Sequence, residues 1–267
     1  MGQISLSTLG EKRWMNELRA LIFDVDGTMA DTERDGHRVA FNRAFAEAGL
    51  DWEWDVSLYG DLLAVAGGKE RIRFYLNNYR PDFAAPPNLD QFIADLHAAK
   101  TKQYQQLVEA GAIPLRPGVK RLLQEARSQE IRLAIATTSA LSNVIALLQL
   151  SLAFDAPDWF EVIAAGDIVP AKKPAPDIYQ YVLDKMGLSA PDCIAIEDSL
   201  HGLIAATTIG IKTVITINDY TQSQDFTDAA LVLNHLGEPV QPFDVIAGDA
   251  GDMNYLNLEL LRRLHAN

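Results

Sequence analysis

Two acids, Asp24 and Asp26, close the apolar run Leu21-Ile22-Phe23 and are followed at once by Gly27 and Thr28. On an extended backbone, residues two apart send their side chains to the same side. Two carboxylates gathered at one spot repel each other and resist burial unless something positive sits there. A metal ion, together with the groups that bind a phosphate, would meet that need. Three other short stretches carry related chemistry: the hydroxyls of Thr137-Thr138-Ser139, the cations Lys172-Lys173 before Pro174, and the acids Glu197-Asp198 before Ser199.

Elements with a regular alternation must position these groups. A first strand is predicted over residues 20–26, and further strands over 131–136, 161–164, 193–196, 213–216 and near 230–233. Helical patterns near 117–129, 141–150, 176–186, 200–209 and 254–265 separate or follow them. Strands alternating with helices build βαβ units and a parallel sheet. The first two strands are far apart, however. Between them a helix is predicted over 33–48, stopped by Gly49, and helical patterns continue to about residue 110 around Pro81, Pro86 and Pro87. The fold class is therefore α/β: a Rossmann-like, mainly parallel sheet core with an inserted all-helical cap domain. Residues 1–31 and 112–267 form the core and residues 32–111 the insert. In such sheets ligands bind beyond the C-terminal strand ends. The strand ends here deliver acids, hydroxyls, a lysine (after Gly166-Asp167) and more acids to one edge.

Composition narrows the partners. The chain has 267 residues and a net charge of −13. That balance argues against nucleic acid and against an anionic membrane surface, both of which demand a basic face. A small anionic substrate needs only a local basic pocket. The single cysteine, Cys193, allows no internal disulfide and sits in an apolar run, where it reads as a small core residue. No apolar run reaches membrane-spanning length. The N-terminus shows no secretory apolar region, and Met1-Gly2 lacks the Ser or Thr of a myristoylation signal because position 6 is Leu6. A monomer in the cytoplasm is expected, or in the plastid stroma if the source is a plant or alga.

The order Asp-x-Asp-Gly-Thr, strand-end Thr, Lys-Pro and Glu-Asp resembles the four motifs of the haloacid dehalogenase superfamily, from about residue 20 onward. The helical insert resembles its C1 cap. Asp31-Thr32-Glu33, Gly67-Gly68-Lys69-Glu70-Arg71, Ala136-Thr137-Thr138-Ser139, Lys173-Pro174-Ala175-Pro176-Asp177-Ile178-Tyr179 and Ile196-Glu197-Asp198-Ser199-Leu200-His201-Gly202 are similar to the CbbY-type sugar-phosphate phosphatases, whose relatives include β-phosphoglucomutase. Chemistry then assigns roles. A carboxylate can attack phosphorus and split hydrolysis into two easier steps, a role for Asp24. Asp26 can protonate the leaving alkoxide and later deprotonate water. An acid at that position argues against the dehalogenase branch, where no leaving oxygen needs a proton. Mg²⁺ is the expected cofactor, a hard cation held by a few oxygens. The family pattern implies the side chains of Asp24 and Asp198 and the Asp26 carbonyl as its ligands. Glu197, adjacent to Asp198, points the other way on an extended strand and is expected behind the ligands, through water. Thr137 is expected to donate to a phosphate oxygen. Thr138 and Ser139 either join it, with backbone N–H groups there and at Gly27-Thr28, or cap the next helix. Lys173 offsets the transferring phosphoryl group, and the family pattern leaves Lys172 solvated.

The insert must choose the substrate, because the core handles only the phosphoryl group. Gly67-Gly68-Lys69-Glu70-Arg71 combines a flexible loop with cations at a helix start; alone it reads equally as a break followed by a solvated face. His97 and Lys100 share a helix face at i, i+3. Glu33 can accept sugar hydroxyls, while His37 reads first as a surface residue. Trp52 and Trp54 read as packing. Cations in both parts imply a substrate with two phosphates, one cleaved and one clamped. The CbbY resemblance implies xylulose 1,5-bisphosphate, releasing xylulose 5-phosphate. A sugar phosphomutase shares all four motifs and differs only in where the phosphoryl group goes. A phosphonate hydrolase would use a cap lysine such as Lys69, and a non-catalytic sugar-phosphate binder would not need all four motifs.

Overall fold

The computed structural model describes residues 17–65 and 67–267. The N-terminal segment that bears on the secretory and myristoylation patterns lies outside them, as do the first sixteen residues of the expected core. By their internal contacts the described residues divide into two units, one formed by those up to Ala30 and by Leu115–Asn267, the other by Asp31–Pro114.

Along the chain, strand β1 (Ala20–Phe23) comes first, and the insert follows it. A single wide helical turn, Thr32–His37, runs into α1 (Arg38–Glu47). Its width shows in the Arg38 N–H, which reaches back five residues to the Glu33 carbonyl. The sequence predicts a continuous helix over 33–48. Gly36 sits in this turn, where a methyl group would come within 2.7 Å of Ile113 and 2.9 Å of Tyr104, so the turn is drawn in against them. Such a bulge re-aims the side chains around it. Helices α2 (Val56–Leu62), α3 (Gly68–Tyr79) and α4 (Leu89–Glu109) complete the insert. Its core is aromatic: Trp54 is fully buried, with ring centroids 4.6 Å from Phe41 and 4.8 Å from Phe45, and Trp52 packs on Phe45 at 5.3 Å. Asn42 braces the unhelical segment that carries them, donating to the Trp54 carbonyl at 2.9 Å and accepting from its N–H at 2.8 Å.

The core unit then alternates: α5 (Val119–Ser128), β2 (Arg132–Thr137), α6 (Leu141–Ser151), β3 (Val162–Ala165), α7 (Asp177–Met186), β4 (Cys193–Glu197), α8 (Leu200–Thr208), β5 (Lys212–Thr216), β6 (Leu231–Leu233), β7 (Val245–Gly248) and α9 (Leu258–Ala266). The sheet order is β3-β2-β1-β4-β5-β6-β7. All pairings are parallel except that of β6 with β7. Every residue of β1 and β4 is buried, the mark of parallel strands covered on both faces. Cys193 belongs to this core, and burial pushes its thiol up to about 12.

Two expectations need correction. The last strand is not the one near 230–233: β7 follows it, exposed along its whole length and antiparallel, so it lacks the buried apolar run that marks the others. The first strand ends at Phe23, not at residue 26. A tight turn takes over, with Met29 N–H bonded to the Val25 carbonyl at 2.9 Å and Gly27 N–H to Ala30 at 2.7 Å. Asp24 and Asp26 therefore stand on a loop rather than on a strand. No helix among the described residues is long and apolar enough to cross a membrane.

Candidate active site

β1 lies between β2 and β4, with Phe23 in register with Ile135 on one side and Ile196 on the other. The residues that leave these three strands therefore emerge side by side. Asp24 continues the ladder by one bond, its N–H donating to Ile196 at 3.0 Å. Thr137 ends β2 and Glu197 ends β4.

Lys173, from the loop between β3 and α7, reaches into this group. Its ammonium donates to Asp24 Oδ1 at 2.7 Å, to the Ala136 carbonyl at 2.8 Å and to Glu197 Oε1 at 2.5 Å. Those three bonds use all its protons. Burial alone would lower the Lys173 pKa, but Asp24 and Glu197 outweigh it and hold the group charged, above the usual lysine range. Lys172 instead points to an exposed pair with Asp167 at 2.9 Å.

Glu197 is fully buried. Its Oε1 also accepts the Tyr179 hydroxyl at 2.5 Å. On its other side α8 passes so close that a methyl group at Gly202 would run into the carboxyl group. Glu197 thus orients Lys173, and Gly202 is the residue type that leaves room for it. Asp198 accepts from Asn218 Nδ2 at 2.7 Å. Ser199 caps α8, accepting from Gly202 N–H at 3.2 Å.

The Ser139 hydroxyl donates to Asp26 Oδ2, and Ser139 N–H donates to Thr137 Oγ1 at 3.2 Å. Neither Thr138 nor Ser139 caps α6: the residue before that helix is Ala140, without a side-chain cap. Thr138 is exposed and Thr137 fully buried. The structure therefore gathers Asp24, Asp26, Thr137, Ser139, Lys173, Glu197 and Asp198 at one edge of the core sheet.

The electrostatics of that edge are unbalanced. Ligand atoms of the buried Asp24, Glu197 and Asp198 all lie within 4.8 Å of one another. Burial pushes the Asp24 carboxyl well above its ordinary value; Lys173 opposes the shift, and Glu197, Asp198 and Asp26 add to it. Burial, then Glu197, pushes Asp198 up to about 7. One ammonium does not neutralise three buried carboxylates. An oxygen-only donor set with surplus negative charge suits a hard divalent cation. Glu197 already spends Oε1 on Lys173 and Tyr179, which leaves Asp24 and Asp198 as the better ligands.

Within the insert, the candidate residues form their own network. Tyr59 OH donates to Glu33 Oε2 at 2.6 Å and accepts from Arg71 at 2.9 Å. Arg71 also donates to the carbonyls of Leu62 at 3.1 Å and Val65 at 3.3 Å, so it is braced rather than solvated. Lys100 Nζ lies 3.0 Å from His37 Nδ1 and over the rings of Phe41 and Tyr104. Burial lowers its pKa to about 8. His97 packs against Gly68, where a methyl group would meet its ring at 2.5 Å, and burial, then Lys100 and Lys69, lower its pKa. Lys69 and Glu70 are exposed; Glu70 folds back over Gly67. His37, read from the sequence as a surface residue, is instead stacked on Tyr104 at 3.9 Å.

Sequence reasoning gave no role to Tyr179, Gly202, Asn218, Arg116 or Tyr59. Tyr179 and Gly202 lie inside the Lys-Pro and Glu-Asp motifs, and their fixed place there was the available signal. Asn218 and Arg116 carried none: one is a polar residue just beyond β5, the other an arginine before Pro117.

The fold and the site together define a hydrolase. The family model for haloacid dehalogenase-like hydrolases matches residues 18–210, and the chain belongs to that family. Its relatives include the plasmid-encoded protein CbbY of Cupriavidus necator, 50% identical over 225 residues that span 84% of this chain and 88% of that protein. The CbbY protein of Rhodobacter capsulatus is 47% identical over 80% of this chain and 91% of its own length. Among solved structures, CbbY from Rhodobacter sphaeroides in complex with phosphate is 44% identical, superposes with a TM-score of 0.65 and aligns over 82% of this chain and 94% of that one. A single-site mutant of the R. sphaeroides protein was solved in complex with xylulose-(1,5)bisphosphate; it is 42% identical, with a TM-score of 0.66 over 84% of this chain and 98% of that one.

Proposed function

We propose that this chain is a Mg²⁺-dependent sugar-phosphate phosphatase that hydrolyses xylulose 1,5-bisphosphate to xylulose 5-phosphate and phosphate. The observation that carries the reaction class is the pairing of Asp24 with Lys173 at 2.7 Å beside an Asp26 held by Ser139. The relative solved with xylulose-(1,5)bisphosphate supports the substrate.

Asp24 is the nucleophile. Its burial disfavours ionisation and the Lys173 ammonium opposes that shift without cancelling it, so the charged, water-stripped nucleophile would need the cation as well as the lysine. An Asp24 oxygen bonds to phosphorus as the ester P–O bond breaks, and Asp26 passes its proton to the departing sugar oxygen. Asp26, now a base, takes a proton from water; that water attacks phosphorus, phosphate leaves, and Asp24 is regenerated. The Ser139 hydroxyl fixes the orientation of Asp26 through both halves. Thr137 offers its hydroxyl proton to a phosphate oxygen. Asp24, Asp198 and the Asp26 carbonyl would hold Mg²⁺, which would supply charge stabilisation to the phosphoryl group. In the insert, Lys69, Arg71 and Lys100 are the cations for the second phosphate, with Glu33, Gly67, Gly68, Glu70 and His97 shaping recognition of the sugar.

One assay tests this: phosphate release with Mg²⁺ over sugar mono- and bisphosphates, with xylulose and ribulose 1,5-bisphosphates side by side. Release from the xylulose compound in excess of the ribulose compound is expected, and EDTA abolishes it. Equal turnover of the two epimers refutes the substrate. Isomerisation without phosphate release, activated by a sugar bisphosphate, refutes hydrolysis in favour of a mutase.

A further inference from the structure

The loop after β5 holds one edge of the acidic cluster. Asn218 places its Nδ2 2.7 Å from Asp198 Oδ2 and 3.5 Å from the Gly27 carbonyl. The orientation of its amide is set from behind, because Oδ1 accepts the Tyr220 N–H at 2.9 Å. The Asn218 N–H in turn donates to Oγ1 of the buried Thr221 at 3.0 Å. The Gly27 turn closes directly over the pair: at its φ of +85°, a methyl group would run into Asp198 Oδ2 and lie 2.6 Å from Asn218 Nδ2.

Arg116 ties these pieces together. Its side chain is buried, and one terminal nitrogen donates to the Gly27 carbonyl and to the carbonyl and hydroxyl of Thr216 at 3.0 and 3.1 Å. The other donates to the carbonyls of Ile217 at 2.5 Å and Asn234 at 2.7 Å. Ile217 is the residue before Asn218. One planar guanidinium therefore fixes both the turn that carries Asp24 and Asp26 and the backbone that presents Asn218.

We infer that Asn218 is the positioning residue for Asp198 in its role as metal ligand, and that Arg116 fixes the frame from which Asn218 acts. The amide takes one acceptor site of the carboxylate and stops its rotation. The remaining lone pairs stay directed at the cation. Partners behind a metal ligand set how much ordering a bound ion must impose.

The inference rests on the reading that Asp198 holds the metal, so the test reads the metal directly. Mn²⁺ is titrated into the purified protein and the free ion followed by electron paramagnetic resonance. Asn218→Leu, which keeps the volume and removes the donor, is compared with Asn218→Ala and Arg116→Lys. The Mn²⁺ dissociation constant is expected to rise about ten- to a hundredfold in both Asn218 variants, whose metal-free melting temperatures stay close to wild type, and less in Arg116→Lys, whose melting temperature falls with the carbonyl bonds a lysine cannot make. A constant within about twofold of wild type in a folded Asn218→Leu protein overturns the inference and leaves the metal site standing. If neither Asn218 variant folds, Thr221→Val takes away the oxygen that holds the Asn218 backbone without touching Asp198; unchanged Mn²⁺ binding there overturns it equally. A wild-type protein that binds no Mn²⁺ refutes the metal site itself, and the inference with it.

Discussion

Asp198→Asn should make the metal-free protein more stable while removing its response to metal. The folded protein holds the Asp198 carboxyl at about 7, against an ordinary value of 3.8, because it is buried beside Glu197. A raised acid pKa means that the folded state binds more protons than the unfolded chain between those two values. Stability from this group is then fully present below the unfolded value and is lost as pH rises through about 7. Roughly three pH units correspond to about 4 kcal/mol lost by pH 8. An asparagine keeps the shape, still accepts from Asn218, and carries no charge to desolvate. At roughly 2–4 °C per kcal/mol, its melting temperature in EDTA at pH 8 should exceed wild type by about ten degrees. The gap should shrink toward zero near pH 4. Adding Mg²⁺ should raise the wild-type melting temperature by mass action and leave the variant where it was. Calorimetric scans over pH 4–8, with EDTA and with Mg²⁺, measure all of this. A metal-free variant no more stable than wild type at pH 8 would refute the reasoning. It would mean that Lys173 and Asn218 already neutralise the cluster and that no cation is needed there.

Other perturbations separate the site's parts. Lys173→Met leaves Asp24 and Glu197 buried without their ammonium; unfolding free energy should fall by about 3–5 kcal/mol and kcat by about 10²–10³, and a near-normal kcat would refute its role. Tyr179→Phe removes one donor from a fully buried carboxylate and should cost about 1–3 kcal/mol in urea unfolding. Gly202→Ala should forfeit both stability and turnover, since its methyl group has no space beside Glu197; a variant with wild-type kcat and melting temperature would show that α8 yields easily. Trp54→Ala, in the aromatic core of the insert, should cost about 3–5 kcal/mol in the transition that reports the insert.

Much of the site was legible from the chain alone because its chemistry is concentrated in short stretches. Asp24 and Asp26 are two residues apart, Glu197 and Asp198 are adjacent, and Lys173 is marked by the proline after it. Apolar runs fully buried on both faces fixed the strands that bear them, and with them the parallel α/β class. The β7 strand escaped because its residues are exposed and its pairing is antiparallel. The wide turn at Thr32–His37 escaped because its cause, Gly36 meeting Tyr104 and Ile113, joins residues far apart in sequence. His37 misread for the same reason: nothing near it in the chain announces Tyr104 or Lys100.

What the sequence determined is the kind of chemistry: paired carboxylates, a lysine and hydroxyls at the ends of parallel strands. Tertiary structure decided how that chemistry is divided. Lys173 spends its three protons on Asp24, Glu197 and a backbone carbonyl, so Glu197 orients the lysine and Asp198 is left as the proposed cation ligand. Asn218 and Arg116 enter only there, because a loop after the fifth strand touches the turn after the first only once the sheet has formed. Residue types and local spacing fix what a group can do, but proximity between distant segments, and the burial that shifts each pKa, exist only in the folded chain.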